Sequence, residues 1–225
     1  MRKKNLSNKF CILLILTIFL NCMHHHHRHH GKSNKFMHKK TTSELIKSFE
    51  SEERDSYQEP AKVLGFIGPL EGTRILDIGS GSGYFSFKLA LKGANVISAD
   101  VNDEFLAHIN KRLQTEPVKP GSIVTRKIQF DNPTLKPEEV DKVLMVNVYH
   151  HIEDRVPYMK MVRSGLKKDG ELILIDFIKK KIPVGPPEDH KISAADVKLE
   201  LERSGFSSIE VNESLLKYQY IIRAK

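Results

Sequence analysis

The stretch Arg74 to Phe85, RILDIGSGSGYF, sets an acid and three alternating glycines, Gly79, Gly81 and Gly83, between an apolar run and a helix pattern. Glycine adopts dihedrals closed to other residues, so a ligand can lie against bare backbone in such a loop. The N–H groups that open the following helix favour negative charge. A dinucleotide fingerprint is spaced G-x-G-x-x-G. This loop is G-x-G-x-G, with Asp77 two residues ahead of its first glycine. An acid sits badly beside a pyrophosphate and well beside a cation. A ligand carrying an amine and a sulfonium, with no phosphate, fits these charges, and a nicotinamide oxidoreductase fits them poorly.

Further chemistry lies downstream. Asp100 closes VISAD, 17 residues after Gly83. It either accepts from both hydroxyls of a ribose, as the acid of a dinucleotide site does, or caps the helix that follows. Asp131, after IVTRKIQF, either accepts from an adenine amine or makes an Asx turn in DNP. Tyr149-His150-His151 follows a strongly apolar run, on the edge where ligands bind in open α/β sheets. A histidine ionises near neutrality, so His150 or His151 suits a base acting on an acceptor hydroxyl, amine or acidic carbon. The plainer reading is that either one caps the next helix or packs on the sheet. VGPPEDHKIS, residues 184–193, is a second wall of the site carrying His190, or a rigid connector. Tyr57, Gln58, Glu59 and Pro60 precede the first strand and can form part of a lid.

Positioning these residues requires alternating elements. TTSELIKSFE reads as a short capped helix, and EPAKVLGFIGPL as a second one ended by Gly68-Pro69. Strands are expected over 74–78, 95–99, 123–130, 142–148 and 171–178, with helices over 84–91, 102–114, 155–166 and 193–204 between and after them. Residues 206–211 and 218–223, separated by Asn212-Glu213-Ser214, read as a terminal antiparallel hairpin. Apolar strands alternating with helices make a mostly parallel sheet covered on both faces.

The chain has 225 residues, with 36 Lys and Arg against 28 Asp and Glu and a net charge of +8. Nine of those bases, and no acid, fall in residues 1–40 (Arg2, Lys3, Lys4, Lys9, Arg28, Lys32, Lys35, Lys39 and Lys40). Residues 41–225 therefore hold 27 bases and 28 acids, a charge of −1. That distribution argues against a nucleic-acid face built from bulk charge. Cys11 and Cys22 are the two cysteines, so the body has no disulfide, thiol nucleophile or thiolate zinc site, and no metal is expected there. One domain over 41–225 accounts for the body.

Residues 1–21 divide into a basic segment and the apolar run FCILLILTIFL, the layout of a secretory signal. Cys22 directly behind it resembles the lipidated cysteine of bacterial lipoproteins, with Asn21 and Phe19 a relaxed version of the usual signal. Membrane anchoring at the cell envelope is the corresponding expectation, and a cytoplasmic location if the leader is not functional. Residues 22–40 read as a disordered linker. Its histidines, His24, His25, His26 and His27 among them, have adventitious affinity for metals.

LDIGSGSGYF with Asp100 downstream, then LMVNVYHHI and LKKDGELILIDF, resembles the class I S-adenosylmethionine-dependent methyltransferases over roughly 55–225. The resemblance implies a Rossmann-like three-layer αβα sandwich, its seven strands ordered 3-2-1-4-5-7-6 with the last antiparallel. It implies S-adenosyl-L-methionine as cofactor. Asp77 and the backbone of Gly79, Gly81 and Gly83 would hold its methionine end, Asp100 the ribose and Asp131 the adenine edge. Asn147 would face the methyl-donor pocket. A small-molecule acceptor and no nucleic-acid partner are expected. The competing reading is a catalytically silent anchored lipoprotein that keeps the fold.

Overall fold

The computed structural model describes residues 40–225. The leader, Cys22 and the histidine run from His24 to His27 lie outside the described residues. Three short helices come first: α1 (Thr42–Phe49), α2 (Glu52–Gln58) and α3 (Pro60–Ile67). Thr41 and Glu44 form a reciprocal capping box that starts α1. Ser51 Oγ accepts from the Arg54 N–H to start α2, which the sequence pattern did not suggest because EERDSYQ has no apolar stripe. Glu59, at φ 43°, turns the chain directly into α3, whose first residue is Pro60.

The remainder alternates: β1 (Arg74–Ile78), α4 (Tyr84–Ala90), β2 (Asn95–Asp100), α5 (Asp103–Arg112), β3 (Ile123–Lys127), β4 (Val140–Val146), α6 (Arg155–Gly165), β5 (Leu166–Phe177), α7 (Ala194–Arg203), β6 (Ile209–Asn212) and β7 (Gln219–Ala224). The seven strands are ordered β3-β2-β1-β4-β5-β7-β6. Pairs β1–β2, β1–β4, β2–β3 and β4–β5 are parallel, while β7 runs antiparallel to β5 and β6. This is the expected doubly wound sheet with an antiparallel seventh strand.

Alternation along the strands builds two cores. Leu76, Ile78, Val143, Met145, Leu172 and Leu174 meet Met159 and Val162 of α6 and Val197 and Leu201 of α7 on one face. The intervening Ile75, Leu144, Val146, Ile173 and Ile175 meet Val63 of α3, Phe87 and Leu89 of α4 and Ile109 of α5 on the other. Each of these side chains loses nearly all its contact with water, a burial that contributes about 1.5–3 kcal/mol per residue. The strands are pinned in register because a one-residue slip would exchange the two sets.

Strand ends depart from the sequence pattern in ways that matter for the site. The third strand stops at Lys127, where Gln129 instead pairs with Asn132 in a tight bridge. The fourth stops at Val146, leaving Asn147 just beyond it at φ 59°. The fifth begins at Leu166 rather than Glu171, and its pairing with β4 shifts register between Val140 and Lys142.

Candidate functional site

The glycine loop leaves β1 at its carboxyl end and enters α4. Gly79, Gly81 and Gly83 have φ of 67°, 54° and 82°, the left-handed region that other residues adopt only with strain. Gly79 and Ser80 donate their N–H groups to Ala99 O at 2.8 and 3.0 Å, which ties the loop to the end of β2. A Cβ on Gly79 would lie 2.4 Å from Val148 Cγ2, and one on Gly81 would lie 3.1 Å from the Phe49 ring. The loop is thus pressed between the end of β4 and the last residue of α1.

Asp100 sits beneath it, 5% exposed. Its Oδ2 accepts from the Gly81 N–H and its Oδ1 from the Asn102 N–H, both at 2.9 Å. Asp100 therefore braces the loop. The cap of α5 is Asn102, whose side chain accepts from the Glu104 N–H. Burial raises the Asp100 pKa, and those two N–H donors pull it down. Asp77 is 3% exposed and faces inward, where the Ser86 hydroxyl donates to its Oδ2 at 2.6 Å and Ser98 donates on to Ser86 at 2.5 Å. Burial pushes the Asp77 carboxyl up to about 7 against the pull of Ser86 and Arg54. Ser80 Oγ and Ser82 Oγ on the loop are buried without a hydrogen-bond partner.

Asn147 closes a ring of three amides. Gln58 of α2 donates to Gln219 of β7 at 2.9 Å, Gln219 donates to Asn147 at 2.5 Å, and Asn147 donates to Gln58 at 3.3 Å. Gln58 and Gln219 are fully buried. The ring fastens α2 to the sheet at the carboxyl end of β4. Asp131 stands apart on the exposed surface beyond β3. Its charge and that of Asp100 both raise the Tyr158 pKa, after burial as the main cause.

Tyr149, His150 and His151 form a single 3-10 turn at the end of β4. The His150 side chain is 3% exposed, and its Nδ1 lies 2.8 and 2.9 Å from the two carboxylate oxygens of Asp176, itself buried in β5. Asp176 also accepts from the N–H groups of His150 at 3.2 Å and Phe177 at 2.8 Å. A carboxylate met by three donors fixes Nδ1 as the protonated nitrogen and leaves Nε2 as the basic one. The His151 ring lies against His150 with centroids 4.2 Å apart and planes tilted by 40°, and burial, then the neighbouring His150, pushes its pKa down to about 3. His151 is therefore a neutral imidazole, and the proton-transfer geometry belongs to His150. His190 of the proline-rich wall adds to the depression of His151, which brings it into the same cluster.

Asp176 and Gln219 went unnoticed in the sequence. Asp176 had a signal: it is the lone acid near the end of the apolar run ELILIDFI. Gln219 had none, since its partners lie 72 and 161 residues away.

Residues 76–174 match the sequence family described as a methyltransferase domain. That span carries the glycine loop, Asp100, Asp131, Asn147 and both histidines. A solved S-adenosylmethionine-dependent methyltransferase from Aquifex aeolicus superposes with a TM-score of 0.75 at 25% identity, covering 82% of this chain and 98% of that one. The Haemonchus contortus phosphoethanolamine N-methyltransferase 2, solved with phosphomonomethylethanolamine and S-adenosylhomocysteine, shares the fold at a TM-score of 0.60 and 20% identity, covering 69% of this chain and 38% of that one. Among curated proteins, the tRNA U34 carboxymethyltransferase of Pseudoalteromonas translucida is 27% identical over 164 residues, 68% of this chain and 50% of that one. Its Aeromonas salmonicida namesake is 29% identical over 163 residues, 67% of this chain and 49% of that one. The chain spans about half the length of these curated relatives.

Proposed function

We propose that this chain is an S-adenosylmethionine-dependent methyltransferase acting on a small-molecule acceptor. The observation that carries the reading is the brace between Gly81 and Asp100. It holds three left-handed glycines open and sets a buried carboxylate at the end of β2. The residues fit the cofactor. Each Asp100 oxygen has accepted one N–H and keeps a further lone pair for a hydroxyl. Ser80 and Ser82 offer unpartnered hydroxyls on the loop, and a phosphate-free cation suits the two nearby acids.

S-adenosylmethionine, when bound, supplies a methyl group on a cationic sulfur that leaves readily. This chain's own residues position the partners and exclude water. Asp100 takes the ribose, and Asp131 the adenine edge. Asn147, fixed by Gln58 and Gln219, borders the donor pocket. His150 Nε2 takes the acceptor's proton while Asp176 orients the ring and stabilises the resulting imidazolium. An enclosed His150 and a body charge of −1 favour a small acceptor. The names of the curated relatives favour tRNA as the competing acceptor.

Calorimetry with S-adenosylhomocysteine tests the cofactor. Binding by the wild type and its loss in Asp100→Ala support the reading, and a wild type that binds nothing supports the silent lipoprotein. Incubation with methyl-labelled S-adenosylmethionine and either small metabolites or total tRNA separates the acceptors by the fraction that gains label.

For the first 40 residues we propose a signal over 1–21, lipidation at Cys22, a linker to residue 40 and attachment to the membrane surface at the cell envelope. Among the described residues no helix is long and apolar enough to cross a membrane. Mass spectrometry of the membrane fraction reads the lipid, and a Cys22→Ala protein that partitions with membranes unchanged would contradict it.

A further inference from the structure

Lys191 is a buried cation beside the His150–Asp176 pair, and no acid meets it. It lies near the end of the proline-rich segment 178–193, which leaves the carboxyl end of β5. The residue is 3% exposed. Its Nζ donates to Lys180 O at 2.8 Å, which closes the segment on itself. Among the described residues no carboxylate lies within ion-pair distance of that nitrogen.

The next residue, Ile192, accepts at its carbonyl from the Tyr220 hydroxyl at 3.3 Å, and Tyr220 pairs with Asp176 across β5 and β7. Lys191 is thereby seated on the sheet next to the acid that orients His150. Burial pushes the Lys191 ammonium down, and the charges of Glu188 and Asp176 work against that. Asp176 has no room for a further partner. Its two oxygens already meet His150 Nδ1 and the N–H groups of His150 and Phe177. An ammonium carries three donors, and Lys180 O uses one of them. A buried charge with two donors left over costs free energy unless an anion completes it.

The surroundings carry the same sign. Lys179, Lys180 and Lys181 are exposed on the segment, and the bond from the Ile178 N–H to Tyr218 O at 3.1 Å brings exposed Lys217 beside them. Among the described residues none of these four is within ion-pair distance of a carboxylate, and Lys217 Nζ lies 5.0 Å from the Tyr218 ring centroid. The body charge of −1 therefore conceals a local positive edge at the end of β5.

We propose that Lys191 binds an anionic group, a carboxylate or a phosphate, on the methyl acceptor, so that the acceptor is a small acid. The assignment rests on the methyltransferase reading above and names the class of acceptor within it. Two free donors on one ammonium fit two oxygens of such a group. Lys191 and His150 share Asp176 as a neighbour, so an acid held by Lys191 brings its remaining atoms to the histidine that takes the proton. The exposed lysines raise the local concentration of anions at the entrance. A single enclosed ammonium suits the terminal charge of a small molecule, whereas a polynucleotide backbone is tracked by exposed cations.

The test uses the isotopically labelled full chain saturated with S-adenosylhomocysteine. Inorganic phosphate and benzoate are titrated separately at constant ionic strength, and amide and ring-nitrogen NMR is followed. At least one of the two should give saturable shifts at Lys191 and His150, and the one that binds more tightly tells phosphate from carboxylate. Lys191→Gln should weaken that anion at least about tenfold, as expected for a bond to a charged group, while Lys179→Gln at the exposed rim stays within about twofold. Equal losses in the two variants would mark diffuse attraction and overturn the assignment, as would no loss in Lys191→Gln. If Lys191→Gln does not fold, the wild type decides: saturable shifts centred on Lys191 and His150 support the assignment, and shifts elsewhere or none overturn it. Transfer of label to tRNA, with none to the acids of the small-metabolite pool, overturns it as well. A chain that binds S-adenosylhomocysteine but neither anion loses this assignment alone, and one that does not bind S-adenosylhomocysteine loses the cofactor reading too.

Discussion

Replacing Asp77 by asparagine should flatten the pH dependence of folding. Asp77 is 3% exposed, and burial pushes its carboxyl from an ordinary 3.8 up to about 7 in the folded chain. A carboxyl that holds its proton more tightly folded than unfolded contributes fully below pH 3.8. Its contribution falls as pH rises through that window and levels off above about 7. One pKa unit corresponds to about 1.4 kcal/mol. Integrating the linkage from about pH 5 to about pH 8 for this shift gives a loss of about 2.5 kcal/mol. Asparagine keeps the shape and can still meet the Ser86 hydroxyl, but it does not ionise. Urea unfolding of both proteins at those two pH values, followed by circular dichroism without ligand, reads the difference. The wild type should lose about 2.5 kcal/mol more than Asp77→Asn across the interval. Parallel pH dependence in the two proteins would refute the buried, proton-binding carboxyl under the loop.

Gly79→Ala combines a φ of 67° with a Cβ 2.4 Å from Val148, and should cost about 1–3 kcal/mol in a thermal melt while weakening S-adenosylhomocysteine. Gln219→Ala cuts two of the three bonds in the amide ring and strands buried partners on Gln58 and Asn147, for about 1–3 kcal/mol in urea unfolding. His151 should remain neutral down to about pH 5 in ring-nitrogen NMR, since burial holds it near 3; protonation around pH 6 would contradict its place in the cluster.

The sheet was legible because its strands are apolar runs bounded by glycines. RILDI and KVLMVNV announce buried parallel strands, and the alternation that sorts Leu76 from Ile75 into separate cores is written in the chain. The glycine loop and Asp100 were legible because their spacing is local. Helix α2 was not, since EERDSYQ owes its helix to the Ser51 cap and to docking through Gln58 rather than to an apolar stripe. The start of β5 was hidden for a similar reason: LKKDG reads as a turn, and its pairing with β4 becomes regular only after the register shift at Lys142. Within the site, the two histidines looked equivalent as neighbours. Asp176, 26 residues further on, separates them by bonding His150, while burial and the neighbouring His150 hold His151 neutral.

The central claim, that the glycine loop and Asp100 together form the cofactor site, is most directly tested by titrating S-adenosylhomocysteine into the isotopically labelled full chain. Backbone amide NMR should show the largest, saturable shifts at Gly79, Gly81, Gly83 and Asp100. Saturable shifts confined to other parts of the sheet, or none at all, would contradict it.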